Sequence, residues 1–65
     1  MIDKLTEKLR DKDPAVRRMA VGALRMHGSR ALAALPTLLE LMTDEDRAVQ
    51  MEAERTVALL RSVAA

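Results

Sequence analysis

Apolar residues recur along this chain at helical spacing, and no segment shows the alternation of a strand. Ile2, Leu5 and Leu9 lie on one stripe and predict a short amphipathic helix over residues 2–10. Asp11-Lys12-Asp13-Pro14 ends it. Asp13 suits the cap of a following helix and Pro14 its first position, where a missing N–H costs nothing. Val16, Ala20, Ala23, Leu24 and His27 then line the inner side of a helix over 14–27, which Gly28 closes. A third helix is expected over 31–43, started or kinked by Pro36, with Leu35, Leu38, Leu39 and Met42 as its buried stripe. Thr43-Asp44-Glu45-Asp46 repeats the acidic turn, with Asp46 as cap. A fourth helix over 46–63 buries Val49, Ala53, Val57 and Leu60. The expected fold class is all-α.

Sliding the chain along itself finds one strong register, at an offset of 33. Leu5 pairs with Leu38, Glu7 with Glu40, Asp11 with Asp44, Asp13 with Asp46, Ala15 with Ala48, Val16 with Val49 and Ala20 with Ala53. Unrelated sequences would give roughly one or two identities over such a stretch. Self-similarity of this period marks a stacked-repeat architecture. The expected organisation is a single domain, 1–65, with repeat one at about 1–30 and repeat two at about 31–65.

Asp11-Lys12-Asp13-Pro14-Ala15-Val16-Arg17-Arg18-Met19-Ala20, with Ala23-Leu24, resembles the central signature of HEAT repeats. So does Ala34-Leu35-Pro36-Thr37-Leu38-Leu39-Glu40-Leu41-Met42 running into Asp44-Glu45-Asp46-Arg47-Ala48-Val49. The chain is similar to the short subclass found in bilin-lyase-like and related bacterial proteins. The resemblance implies two helical hairpins, four helices in all, stacked as a short α-solenoid. It also implies that Arg17 reaches the aspartates of the next turn, Asp44 or Asp46. Gln50 stands where the second repeat would carry the matching arginine.

Sixty-five residues leave little interior, and the chain has no aromatic residue and no cysteine. Ordering a residue costs about 1.5 kcal/mol, which a small core without aromatics repays poorly. Two repeats are fewer than the roughly three a solenoid usually needs. An isolated monomer is therefore expected to leave two core-like faces wet. The Met start and complete two-repeat register favour other copies of the chain as the missing neighbours, over a fragment of a longer array or a designed or trimmed scaffold. The charge is bipolar. Residues 1–33 carry eight Lys and Arg against four Asp and Glu, a balance of +4, and residues 34–65 carry three against six, a balance of −3. Such a module favours antiparallel or head-to-tail contact between copies. A two-fold dimer is the favoured assembly, with a ring or filament the head-to-tail outcome, and a different protein partner the alternative.

The family register turns positions 18, 21, 22, 25 and 26 outward, and likewise 51, 54, 55, 58 and 59. Val21, Met26, Met51 and Leu59 are apolar there, and they are the residues expected to carry association. Arg18, Arg25, Glu54 and Arg55 are expected to set its register. The expected function is thus a non-catalytic protein–protein assembly module.

Candidate chemistry changes this little. The lone His27 has no partner in motif relation to it, so a half-buried histidine at a helix end is its expected state. The acidic turns lack the glycine and the spread of oxygen ligands of a calcium loop. Neither Gly22 nor Gly28 forms a phosphate-cradling loop. No enzyme, cofactor or metal is expected. Nucleic acid is the runner-up partner, through Lys4, Lys8, Lys12, Arg17, Arg18, Arg25 and Arg30. No apolar run approaches a membrane span and no secretory signal is evident, so the expected location is the cytoplasm.

Overall fold

A computed structural model describes residues 2–64. Met1 and Ala65, the ends of the expected domain and of its outer repeats, lie outside the described residues. The described residues are all-helical. Helix α1 spans Ile2–Lys8, α2 Pro14–His27, α3 Leu35–Glu40 and α4 Arg47–Ala64, with 3₁₀ turns at Gly28–Ala34 and Leu41–Thr43.

Helical structure runs unbroken from α2 through the 3₁₀ turns and α3, so the described residues form three helical stretches rather than the four expected. The expected third helix, 31–43, is the one that does not form as a unit. Pro36 is the cause. Its nitrogen cannot donate to the Leu32 carbonyl, and its ring crowds that carbonyl. The Leu32 oxygen instead accepts the Leu35 N–H in a tighter 3₁₀ bond, and α-helical winding starts only at Leu35. The same break shifts the buried stripe: Leu38 and Leu41 are buried and Leu39 is exposed, contrary to the expected inward position of Leu39.

The two acidic turns are built alike. In the first, Asp11 Oδ1 accepts the Asp13 N–H (2.9 Å) and Asp13 Oδ1 accepts the Ala15 N–H (2.9 Å), capping α2. In the second, Asp44 Oδ1 accepts the Asp46 N–H (2.8 Å) and Asp46 Oδ1 accepts the Val49 N–H (3.0 Å), capping α4. Each cap satisfies a donor that a helix start leaves unpaired. At the other end of α2, Gly28 has φ 60° and returns its N–H to the Arg25 carbonyl.

Leu9, Ala20, Leu24, Ala31, Ala34, Leu38, Val49, Ala53, Val57 and Leu60 make one continuous core, completed by Val21 and flanked by Ile2, Leu5, Leu35 and Met42. Full burial of each leucine contributes about 1.5–3 kcal/mol. Thr56 is the polar residue at the core's centre, and its hydroxyl is satisfied by donating to the Glu52 carbonyl (2.8 Å). The radius of gyration, 10.3 Å, is that of a closely packed chain of this length, so the two repeats lie against each other.

Candidate functional site

Among the described residues three ion pairs join the repeats: two come from α2, and the third is the exposed pair of Arg10 with Glu40 at 3.6 Å. Arg17 Nε and Nη2 grip Asp44 Oδ2 and Oδ1 at 3.0 and 3.1 Å, a bidentate pair that is largely covered. The same guanidinium donates through Nη1 to the carbonyls of Asp11 (2.7 Å) and Lys12 (3.1 Å). Its hydrogen bond to Asp44 raises the Arg17 pKa further above the ordinary arginine value. Asp46, the other residue considered as its partner, is occupied with capping α4. A little over two turns further along α2, Arg25 Nη1 donates to Glu52 Oε1. That bond holds the Glu52 carboxyl below the usual carboxylate range against the opposing effect of burial, with the nearby charges of Arg25, Arg55 and Arg18 adding to it. Arg55 also lies within reach of Glu52, at 3.6 Å.

The residues expected to face outward divide into two groups. Arg18, Met26, Met51, Glu54, Arg55 and Leu59 are exposed. Among the apolar ones, Met26 is 89% exposed, Met51 49% and Leu59 41%. Met26 and Leu59 are register partners on helices packed side by side, so they stand on the same outer surface. Arg25 is half-buried and engaged with Glu52.

Val21 corrects the expectation. It is 0% exposed and belongs to the core, so it presents nothing to a partner. Helix α2 packs against α1 on one side and α4 on the other, which widens its buried arc to include Ala20, Val21 and Leu24. The signal was available in the repeat register. Val21 pairs with Glu54, and an apolar residue in repeat one opposite a charge in repeat two marks a position that only repeat one has covered.

The same comparison corrects the expectation of two core-like open faces. At the α4 positions equivalent to Arg17, Val21 and Gly28 stand Gln50, Glu54 and Arg61. The side of α4 that a further repeat would cover is therefore polar at these positions. Sequence reasoning also passed over Met19, which is 63% exposed on α2, and Glu52, the partner of Arg25. These two are register partners as well, so a methionine stands on repeat one where repeat two carries its junction carboxylate.

Of the basic residues considered for phosphate contact, Arg17 and Arg25 are held by carboxylates. None of the described helices is long and apolar enough to cross a membrane.

Two like-built turns, a 33-residue period and an arginine linking one turn to the next describe a stacked helical repeat, and residues 2–65 match the family of HEAT repeats. The chain belongs to the HEAT repeats. No curated protein and no solved structure matches it. HEAT repeats are generally protein-interaction scaffolds and typically non-catalytic. In this HEAT pair the large exposed apolar residues lie on α2 and α4 apart from Leu39 on α3, so the candidate surface is the outer side of those two helices.

Proposed function

We propose that this HEAT-repeat chain is a non-catalytic protein-interaction module, and that it self-associates through the outer surface of α2 and α4. The observation that carries this is the joint exposure of Met26, Met51 and Leu59, apolar side chains on one surface of two packed helices. Methionine adapts to varied partners because its unbranched thioether chain repacks easily. Arg18, Glu54 and Arg55 border these residues and set the register of contact by charge. The short repeat period and the Asp-Lys-Asp-Pro-Ala-Val-Arg turn support the bilin-lyase-like subclass of short HEAT repeats.

A closed two-fold dimer is the assembly this surface favours. Sedimentation over a concentration series should show a mass above one chain, and Met51→Glu with Leu59→Glu should return it to one chain without lowering helicity. A single-chain mass at all concentrations, or an oligomer indifferent to both substitutions, refutes self-association through this surface.

A further inference from the structure

The fold sorts its apolar residues by chemistry. The large buried side chains are leucine and valine, with Thr56 among them, and among the described residues no methionine is buried. Met42 is half-buried against the core, whereas Met19, Met26 and Met51 are exposed. The chain has five methionines and no cysteine, tryptophan or tyrosine. A mild two-electron oxidant therefore meets thioethers, and it meets them on the outside of the molecule. Two of the three exposed ones, Met26 and Met51, lie on the surface proposed for self-association, whose remaining apolar residue is the less exposed Leu59.

We propose that Met26 and Met51 are oxidation sites through which hydrogen peroxide separates assembled copies of this chain, a role that rests on the self-association proposed above. In the step, a lone pair of the thioether sulfur attacks one peroxide oxygen and the O–O bond breaks. The sulfur keeps that oxygen, loses two electrons and becomes a sulfoxide. The second oxygen leaves as water with both peroxide protons. The product is polar and chiral where the thioether was apolar and adaptable. An S=O dipole pressed into an apolar contact without a donor opposite it is costly, so the oxidised surface loses its reason to associate. A dithiol-dependent sulfoxide reductase reverses the step, its two thiols closing to a disulfide while the oxygen departs as water.

Oxidation at these positions acts on the contact and spares the fold. Peroxide leaves the leucine and valine core untouched, along with the Arg17–Asp44 and Arg25–Glu52 junctions. In the single chain a sulfoxide at Met26 or Met51 stays hydrated, and surface changes of this kind cost a folded chain little. Leu59 has no comparable chemistry, so the methionines alone make the surface responsive. Met19 is exposed as well but has no part in the surface as proposed, which makes it an internal comparison.

The test follows the mass of the intact chain by sedimentation before and after peroxide, with sulfoxides located by peptide mass spectrometry and helicity by circular dichroism. In dilute solution Met26 should oxidise ahead of Met51, and Met42 last, in the order of their exposure. Sulfoxides at Met26 and Met51 should raise the dissociation constant at least about tenfold with helicity unchanged. Treatment with reductases for both sulfoxide epimers should restore the parent mass. Met26→Leu with Met51→Leu keeps volume and apolarity, so this variant should assemble like the parent and ignore peroxide. Met19→Leu should leave the response of the parent intact. An oligomer that survives with both sites oxidised overturns the inference, as does a Met26→Leu/Met51→Leu chain that peroxide still separates. Separation accompanied by lost helicity overturns it too, because the fold and not the contact was then the target. If oxidation leaves the oligomer whole while Met51→Glu with Leu59→Glu separates it, the inference falls and the proposed self-association stands. A parent chain that is single at every concentration before oxidation refutes both.

Discussion

Val21 and Glu54 occupy the same position of the repeat, 33 residues apart, and one is sealed in the core while the other faces solvent. Both lie inside an α-helix. Their surroundings differ, because α4 covers Val21 and none of the described elements covers Glu54 in the same way. Truncating Val21 to alanine leaves a void that the core closes only in part, and should destabilise the chain by about 1–3 kcal/mol. Glu54→Ala should fall within about 0.5 kcal/mol of the parent. Urea denaturation of both variants measures the contrast, and equal costs would contradict the inequivalence of the two repeats.

Arg17 should not tolerate lysine. A lysine offers a point charge in place of a planar fork, so Arg17→Lys keeps the charge and loses the bidentate grip on Asp44 together with the bonds to the Asp11 and Lys12 carbonyls. Thermal melts should show a clear fall in midpoint for Arg17→Lys and for Asp44→Asn. The double variant should fall by less than the sum of the two, the signature of directly coupled residues.

The two glycines should respond to alanine with opposite sign. Gly22 sits in ordinary helical backbone with open space around it, so Gly22→Ala should stabilise by about 0.5–1 kcal/mol. Gly28 holds φ 60°, a region where a side chain is strained, so Gly28→Ala should destabilise by about 1–2 kcal/mol. Calorimetry of the pair decides both signs.

Glu52 adds an acid-sensitive share of stability. Its folded pKa lies below the unfolded value because of Arg25, so its contribution is fully present above the ordinary carboxylate range and is lost as pH falls through the lowered value. Melting midpoints followed from about pH 7 to about pH 2 should fall less steeply for Glu52→Gln than for the parent. An identical slope would remove Glu52 from the acid response.

The period of 33 and the caps make much of this architecture legible before any coordinates. Asp13, Pro14 and Gly28 delimit α2 at Pro14–His27, because each of those residues acts on its own backbone and needs no tertiary partner. The third helical segment is harder. Pro36 announces a disturbance, but whether it starts a helix or interrupts one depends on the carbonyl of Leu32, which turned to a 3₁₀ bond. The surface was read least well where two neighbours compete for one helix. Helical spacing places Val21 beside Arg25 and away from Ala20's partners, and only the packing of α4 decides that it is inside. Met19 escaped notice for the converse reason: its spacing suits a core edge, but none of the described elements covers it and it is exposed.

The Arg17 guanidinium touches the first hairpin's connecting turn and the second's at once. Neither turn can loosen without releasing the other, so the two halves have no independent way to come apart. A two-unit solenoid could in principle unzip one unit at a time. This one is latched at its hinge, and its melting should register as one sharp event in every probe, local or global.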